Sequence, residues 1–134
     1  MSRSARLFLV LGALIAALGV ILSAYVAHAP GLNGGGMVQT ALAQQQFHAL
    51  GLLVVGLGLD RLGRSRWLIA SGWLMVLGVV LFSLNILARA LFGFDALRAL
   101  VPWGGTAFIL GWLAMAAGVL SARHDLAPSR GSDR

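Results

Sequence analysis

Four long apolar stretches, each cut off from the next by charged or turn-forming residues, constrain this chain more than any other feature. They cover about residues 7–27, 40–59, 67–88 and 101–122. A helix needs roughly 20 mostly apolar residues to cross a bilayer. In lipid, helices and closed barrels are the structures that satisfy every backbone group internally. The breaks carry matching punctuation. Ala29-Pro30-Gly31 and the glycines from Gly34 to Gly36 end the first stretch, and a charged hairpin runs from Asp60 to Arg66. Phe92-Gly93-Phe94-Asp95 opens the third connection, and Pro102 suits the first turn of the fourth helix. The fold expected is an all-α polytopic membrane protein, a four-transmembrane-helix bundle over residues 1–122. A disordered cytoplasmic tail, rich in Ser, Pro, Gly and charge, is expected at 123–134.

Charge supports the same reading. Charged residues make up 10% of the chain and hydrophobic ones 59%, whereas a soluble domain has about 25% charged residues. The net charge of +6 comes from ten arginines set against four aspartates. The arginines lie in short segments between apolar runs and form no basic face, so nucleic acid is not an expected partner; the lipid bilayer is. Arg3 and Arg6 lie in the N-terminal tail, Arg61, Arg64 and Arg66 in the middle hairpin, and Arg123, Arg130 and Arg134 in the C-terminal tail. Cytoplasmic segments concentrate arginine, so both termini and the hairpin are expected on the cytoplasmic side of the inner membrane. Arg89 and Arg98 fall on the other side. Arg89 is expected to reach up to the interface, and Arg98 to pair with Asp95 three residues before it. The first stretch has a basic start and an Ala27-His28-Ala29 step, which also suits a signal peptide. Its apolar run exceeds the usual 7–15 residues, and Pro30 would follow the cut, so it is read as a retained span. The chain has no cysteine, which excludes disulfides and thiolate metal sites.

Helices associate in lipid where small residues let backbones approach. Gly104, Gly111 and Gly118 recur at sevenfold spacing on the fourth stretch. Gly12 and Gly19 mark a stripe on the first, Gly51 and Gly58 on the second, and Gly78 on the third, sevenfold from Ser71 and Asn85. These glycines are the expected packing positions. His48, Gln44 and Asn85 fall on the same stripes and are expected to face the interior.

Polar residues inside a membrane are costly and raise a functional question by default. The candidates are His48, Gln44, Gln45, Asn85 and, at the end of the first helix, His28; all are expected in the outer half of the bundle. Two readings of this group stay open. One is hydrogen bonding across helices. The other is an outward-facing pocket for a small molecule, ion or metal, in which Gln44 or Asn85 orients His48 and His28 adds a second ligand. No acidic residue lies in any span, which disfavours proton-coupled export and aspartyl-protease chemistry. No catalytic constellation, metal site or cofactor is expected, and the chain is read as a non-enzyme.

The order of short motifs carries a resemblance. Ala27-His28 is followed by Gln45-Gln46-Phe47-His48-Ala49-Leu50, then Gly72-Trp73 and Phe82-Ser83, then Pro102-Trp103-Gly104-Gly105 and Gly111-Trp112. Over about residues 7–120 the chain resembles the YgdD-like family of small bacterial inner-membrane proteins of unknown function. The resemblance implies the four-helix fold and the membrane location, and no mechanism. The reading from sequence is an integral membrane protein acting as a non-enzymatic partner or accessory subunit, as a homo-oligomer or with another membrane protein. The alternative is the pocket around His48.

Overall fold

The computed structural model describes residues 1–32 and 35–125, with side chains described as far as residue 122. Helix α1 spans Arg3–His28 and α2 spans Gly36–Arg61. Helix α3, Arg66–Gly78, runs without a break into a π-helical segment, Val79–Leu84, and then into α4, Asn85–Phe92. A single 3-10 turn, Arg98–Leu100, leads into α5, Val101–Asp125. Four helical stretches are therefore long and apolar enough to cross a membrane, the third being Arg66–Phe92 and the fourth Arg98–Ala122. The chain is an all-helical integral membrane protein. The tail expected at 123–134 falls outside the described residues, apart from the backbone of α5 up to Asp125.

Helices α1 and α3 begin ahead of the apolar stretches because a serine caps each start. The Ser2 hydroxyl accepts from the Ala5 amide at 3.1 Å, and the Ser65 hydroxyl from the Leu68 amide at 3.5 Å, as N-cap residues do. Among the described residues three turns use a left-handed glycine: Gly31, φ 81°, after α1, Gly63, φ 81°, in the hairpin, and Gly93, φ 68°, after α4.

Helix α1 packs on α2, and the third span packs on α5, with α2 joining the two pairs. Among the four spans α1 is the most apolar and the least buried, while α2 is the least apolar and the most buried. That ordering follows from the solvent. Polar side chains are costly in lipid, so the helix carrying Gln45 and His48, both buried, is the one most covered by its neighbours, while Gln46 stays exposed.

Along α2 the interior divides into layers. Val38, Ala41 and Leu42 belong to one apolar cluster with Val26, Ile86 and Leu87. Leu52, Val55 and Leu59 belong to a second with Ala5, Phe8, Leu68 and Met75. Gln45 and His48 form a polar layer between them, and both are buried. Because α2 begins at Gly36, twelve residues before His48, the histidine sits about 18 Å along the helix, at its middle. Phe8 is fully buried against Gly72 and meets Trp73 edge-on at 5.6 Å, so α1 is part of the core.

The glycine stripes lie at the helix contacts. A Cβ built on Gly12 would fall 2.9 Å from the Ala49 carbonyl oxygen, and one on Gly19 3.0 Å from Gln46. On Gly51 it would meet Met75 at 2.9 Å and Trp112 at 3.3 Å, where three helices converge. Gly111 faces Met75 and Ser71, Gly118 faces Leu68, and Gly78 faces the Phe108 ring. Gly58 is looser, with Leu68 at an ordinary contact distance of 3.4 Å. Gly104 is the tightest against backbone: its Cβ would lie 2.6 Å from the Phe82 amide nitrogen and 2.9 Å from the Leu81 carbonyl carbon. This approach coincides with the π-helical segment.

Candidate functional site

The polar layer is built by two helices that meet side on. His48 projects from α2 toward α5. Its Nδ1 lies 2.8 Å from the backbone carbonyl oxygen of Gln44, one turn back. On the other side Trp112 Nε1 lies 3.0 Å from His48 Nε2. An indole N–H can only donate, so Nε2 is the accepting nitrogen and Nδ1 carries the proton, which it donates to Gln44 O. The two neighbours fix both the tautomer and the ring plane. Phe108, one turn before Trp112, stacks on the imidazole with centroids 3.5 Å apart and planes 12° from parallel. Phe47 closes the edge, 5.3 Å from the His48 ring and 5.2 Å from Trp112.

Both ring nitrogens are therefore engaged within the bundle. For His48 to bind a metal, or to take a second proton at Nε2, the Trp112 bond has to break. Neither the Gln44 side chain nor Asn85 orients the ring: Gln44 contributes its main chain, and that bond is local to α2. Among the described residues no cluster of three metal-ligating side chains converges.

The remaining candidates lie elsewhere. His28 is exposed at the end of α1 and bonds back to the Ala24 carbonyl at 2.8 Å. Asn85 is buried near the far end of the third span, where its Nδ2 donates to Leu81 O at 3.1 Å and to Leu97 O at 2.6 Å. It ties the π-helical segment to the returning loop. Its helix ends at Phe92, seven residues on, so Asn85 lies about 10 Å from that end while His48 lies about 18 Å from the start of α2. The difference in depth keeps them in separate layers. Gln45 turns to α1, donating to Ile15 O at 3.3 Å, while Gln46 bonds Ser23 at 3.2 Å. Gln45 Oε1 and the Ser71 and Ser83 hydroxyls are buried without a partner.

One ion pair differs from expectation. Asp95 pairs with Arg89, Nε to Oδ1 at 2.7 Å, and not with Arg98. Gly93 in the left-handed region turns the chain back over α4, which brings Asp95 onto Arg89. Arg98 meets Asp95 through the backbone only, N to O at 3.1 Å.

The residues missed from sequence are Trp112 and Phe108. Trp112 lies 64 positions from His48, so no local spacing links them. The available signal was chemical, since a tryptophan beside a packing glycine, here Gly111, brings an N–H donor into a bundle that holds few acceptors.

The model of a protein family of unknown function, DUF423, matches residues 22–105 of this chain, well over half of it. The chain belongs to the DUF423 family. Among curated relatives it is 37% identical to the UPF0382 membrane protein YwdK of Bacillus subtilis, covering 81% of this chain and 91% of the relative. It is 37% identical to the UPF0382 membrane protein SERP0230 of Staphylococcus epidermidis, over 86% and 96% respectively. It is 31% identical to the UPF0382 inner membrane protein YgdD of Escherichia coli, over 90% and 95%. No solved structure matches the chain. The DUF423 match takes in His48, the π-helical segment, Asn85 and the Gly104-Gly105 pair, and ends before Phe108 and Trp112. The expected resemblance, fold and membrane character hold for this DUF423 protein.

Proposed function

We propose that this protein is a non-enzymatic membrane bundle that acts as a partner or accessory subunit, binding a second copy of itself or another membrane chain. One observation carries the reading: the histidine at the middle of α2 commits both ring nitrogens to the bundle, as a strut between α2 and α5, which leaves it no free lone pair for acid–base or ligand chemistry. The lipid-facing side of the same layer supports a place for a partner. Phe47, Phe82, Gly105 and Ile109 are among the residues lining a dent of about 290 Å³ on the bundle flank, which His48 and Trp112 also line. A Cβ on Gly105 would meet nothing closer than Phe82 at 3.9 Å, unlike its neighbour Gly104. Phe47 and Ile109 are 56% and 64% exposed, which makes them knobs beside a hole.

The absence of cysteine makes the test clean. Phe47→Cys and Ile109→Cys, each introduced singly and treated with a short bis-maleimide in native membranes, are expected to trap one discrete product at a fixed stoichiometry. Leu14→Cys, on the exposed face of α1, is the control. Equal or no capture at all three positions would overturn the reading.

We also place both termini in the cytoplasm and the chain in the inner membrane. Eight of the ten arginines lie on the tails and the middle hairpin, and E. coli YgdD is named an inner membrane protein. The Met1 ammonium lies 3.7 Å from Asp60, so the N-terminus and the hairpin share one end of the bundle. Alkaline phosphatase fused after Gly35 is expected to be active, and fused after Arg64 or at the C-terminus to be silent. An active C-terminal fusion would reverse the placement.

A further inference from the structure

At the end of the bundle away from Asp60, a second cavity of about 520 Å³ opens where the start of α2, helix α4 and the start of α5 meet. Its size falls in the range of about 300–1,000 Å³ typical of small-ligand sites. The walls are apolar, formed by Val38, Ile86, Ala90 and Val101, and the polar groups stand together as Asn85, Arg89 and Arg98. They are not equivalent. Arg89 is neutralised by Asp95 at 2.7 Å. Among the described residues Arg98 has no side-chain hydrogen bond or ion pair, so it brings one uncompensated positive charge to the rim. Asn85 is 6% exposed and spends its amide protons on Leu81 O and Leu97 O, so what it can offer an occupant is the acceptor Oδ1.

We infer that this cavity binds the headgroup of an acidic, hydroxyl-bearing phospholipid. The phosphodiester would meet Arg98, a headgroup hydroxyl would donate to Asn85 Oδ1, and the first part of an acyl chain would lie along the Ile86 and Val101 wall. Each group has its complement: an anion for the unpaired guanidinium, a donor for the amide oxygen, and hydrocarbon for apolar walls at a membrane boundary. A free polyol phosphate would satisfy the polar end and leave the apolar wall wet. The inference does not depend on the partner reading above.

The test is native mass spectrometry of the full chain released from micelles holding equal phosphatidylglycerol and phosphatidylcholine. The wild type is expected to retain phosphatidylglycerol about 5-fold over phosphatidylcholine, the ratio matching about 1 kcal/mol per basic residue near acidic lipid. Arg98→Gln should bring the ratio near one, with the melting temperature unchanged because the side chain is exposed. Asp95→Asn, which frees Arg89, should raise it. Arg64→Gln, exposed at the opposite end, should leave it as in the wild type. Equal retention of the two lipids, a preference that survives Arg98→Gln, or an equal loss in Arg64→Gln would overturn the inference. So would displacement of the bound lipid by excess glycerol phosphate, which would point to a soluble ligand.

Discussion

Replacing Gly104 by leucine is expected to destabilise the bundle by at least about 3 kcal/mol, the upper end of what overpacking costs in ordinary cores. The same change one residue later, Gly105→Leu, is expected to be nearly silent, within about 0.5 kcal/mol as for a surface substitution. At Gly104 the first added carbon already falls 2.6 Å from the Phe82 amide nitrogen and 2.9 Å from the Leu81 carbonyl carbon. Those are backbone atoms of the facing helix, so no rotamer change relieves the contact. Relief requires α5 to move away from the third span, and that would also open the Gly111 and Gly118 contacts further along the same seam. At Gly105 the nearest atom is a flexible ring carbon at 3.9 Å. Thermal unfolding of the two variants in mild detergent, followed by circular dichroism or by loss of the monodisperse peak, separates them. Two equal melting temperatures would show that the helices do not approach as described. Gly105→Leu carries a second expectation: a folded protein that has lost the cross-linked product formed through Ile109→Cys, because the dent is filled.

The second large effect is expected at His48. Truncation by His48→Ala removes a ring stacked 3.5 Å from Phe108 and leaves the Trp112 N–H without an acceptor inside the membrane. Large aromatic truncations in water-soluble cores cost about 3–5 kcal/mol. Part of that figure is transfer from water, which a lipid-embedded helix does not gain, so about 2–3 kcal/mol is expected here. Trp112→Phe removes only the donor and should cost less. In a double-mutant cycle the two residues should couple by about 0.6–1.7 kcal/mol, from the average to the maximum found for hydrogen bonds between membrane helices. If the histidine is a strut, cellular function should track residual stability across His48→Ala, His48→Phe and Trp112→Phe. A His48→Ala protein that melts like the wild type yet fails to complement a deletion strain would make the histidine a working residue and sink the strut reading.

The two sites were unequally legible in sequence. That His48 and Asn85 turn inward could be read from their places on the small-residue stripes, because inward facing follows from helical period. That they serve separate layers could not, because it depends on where each helix starts. The apolar stretch of the second span begins near residue 40, whereas α2 begins at Gly36. With Arg61 as its last residue, α2 is centred between His48 and Ala49. The pairing of Asp95 was misjudged for a related reason. Spacing along a helix favours Arg98, but Gly93 ends α4 and folds the chain so that an earlier residue, Arg89, comes nearer in space. The Gly104-Gly105 pair was visible as a doublet, but nothing in the doublet says which glycine meets backbone and which meets open space.

The sequence by itself determined the four spans, the turns between them and the class of protein, because these rest on local physics. Each peptide group in lipid must find its partner within its own helix, so length and apolar content decide what crosses, and glycine decides where the chain can reverse. Tertiary structure alone decided what the interior polar groups are bonded to. Hydrogen bonding is directional and short-ranged, so the state of His48 depends on Trp112, a residue on another helix brought within 3.0 Å. Among the described residues Arg98 is left unpaired by a loop that gives Asp95 to Arg89.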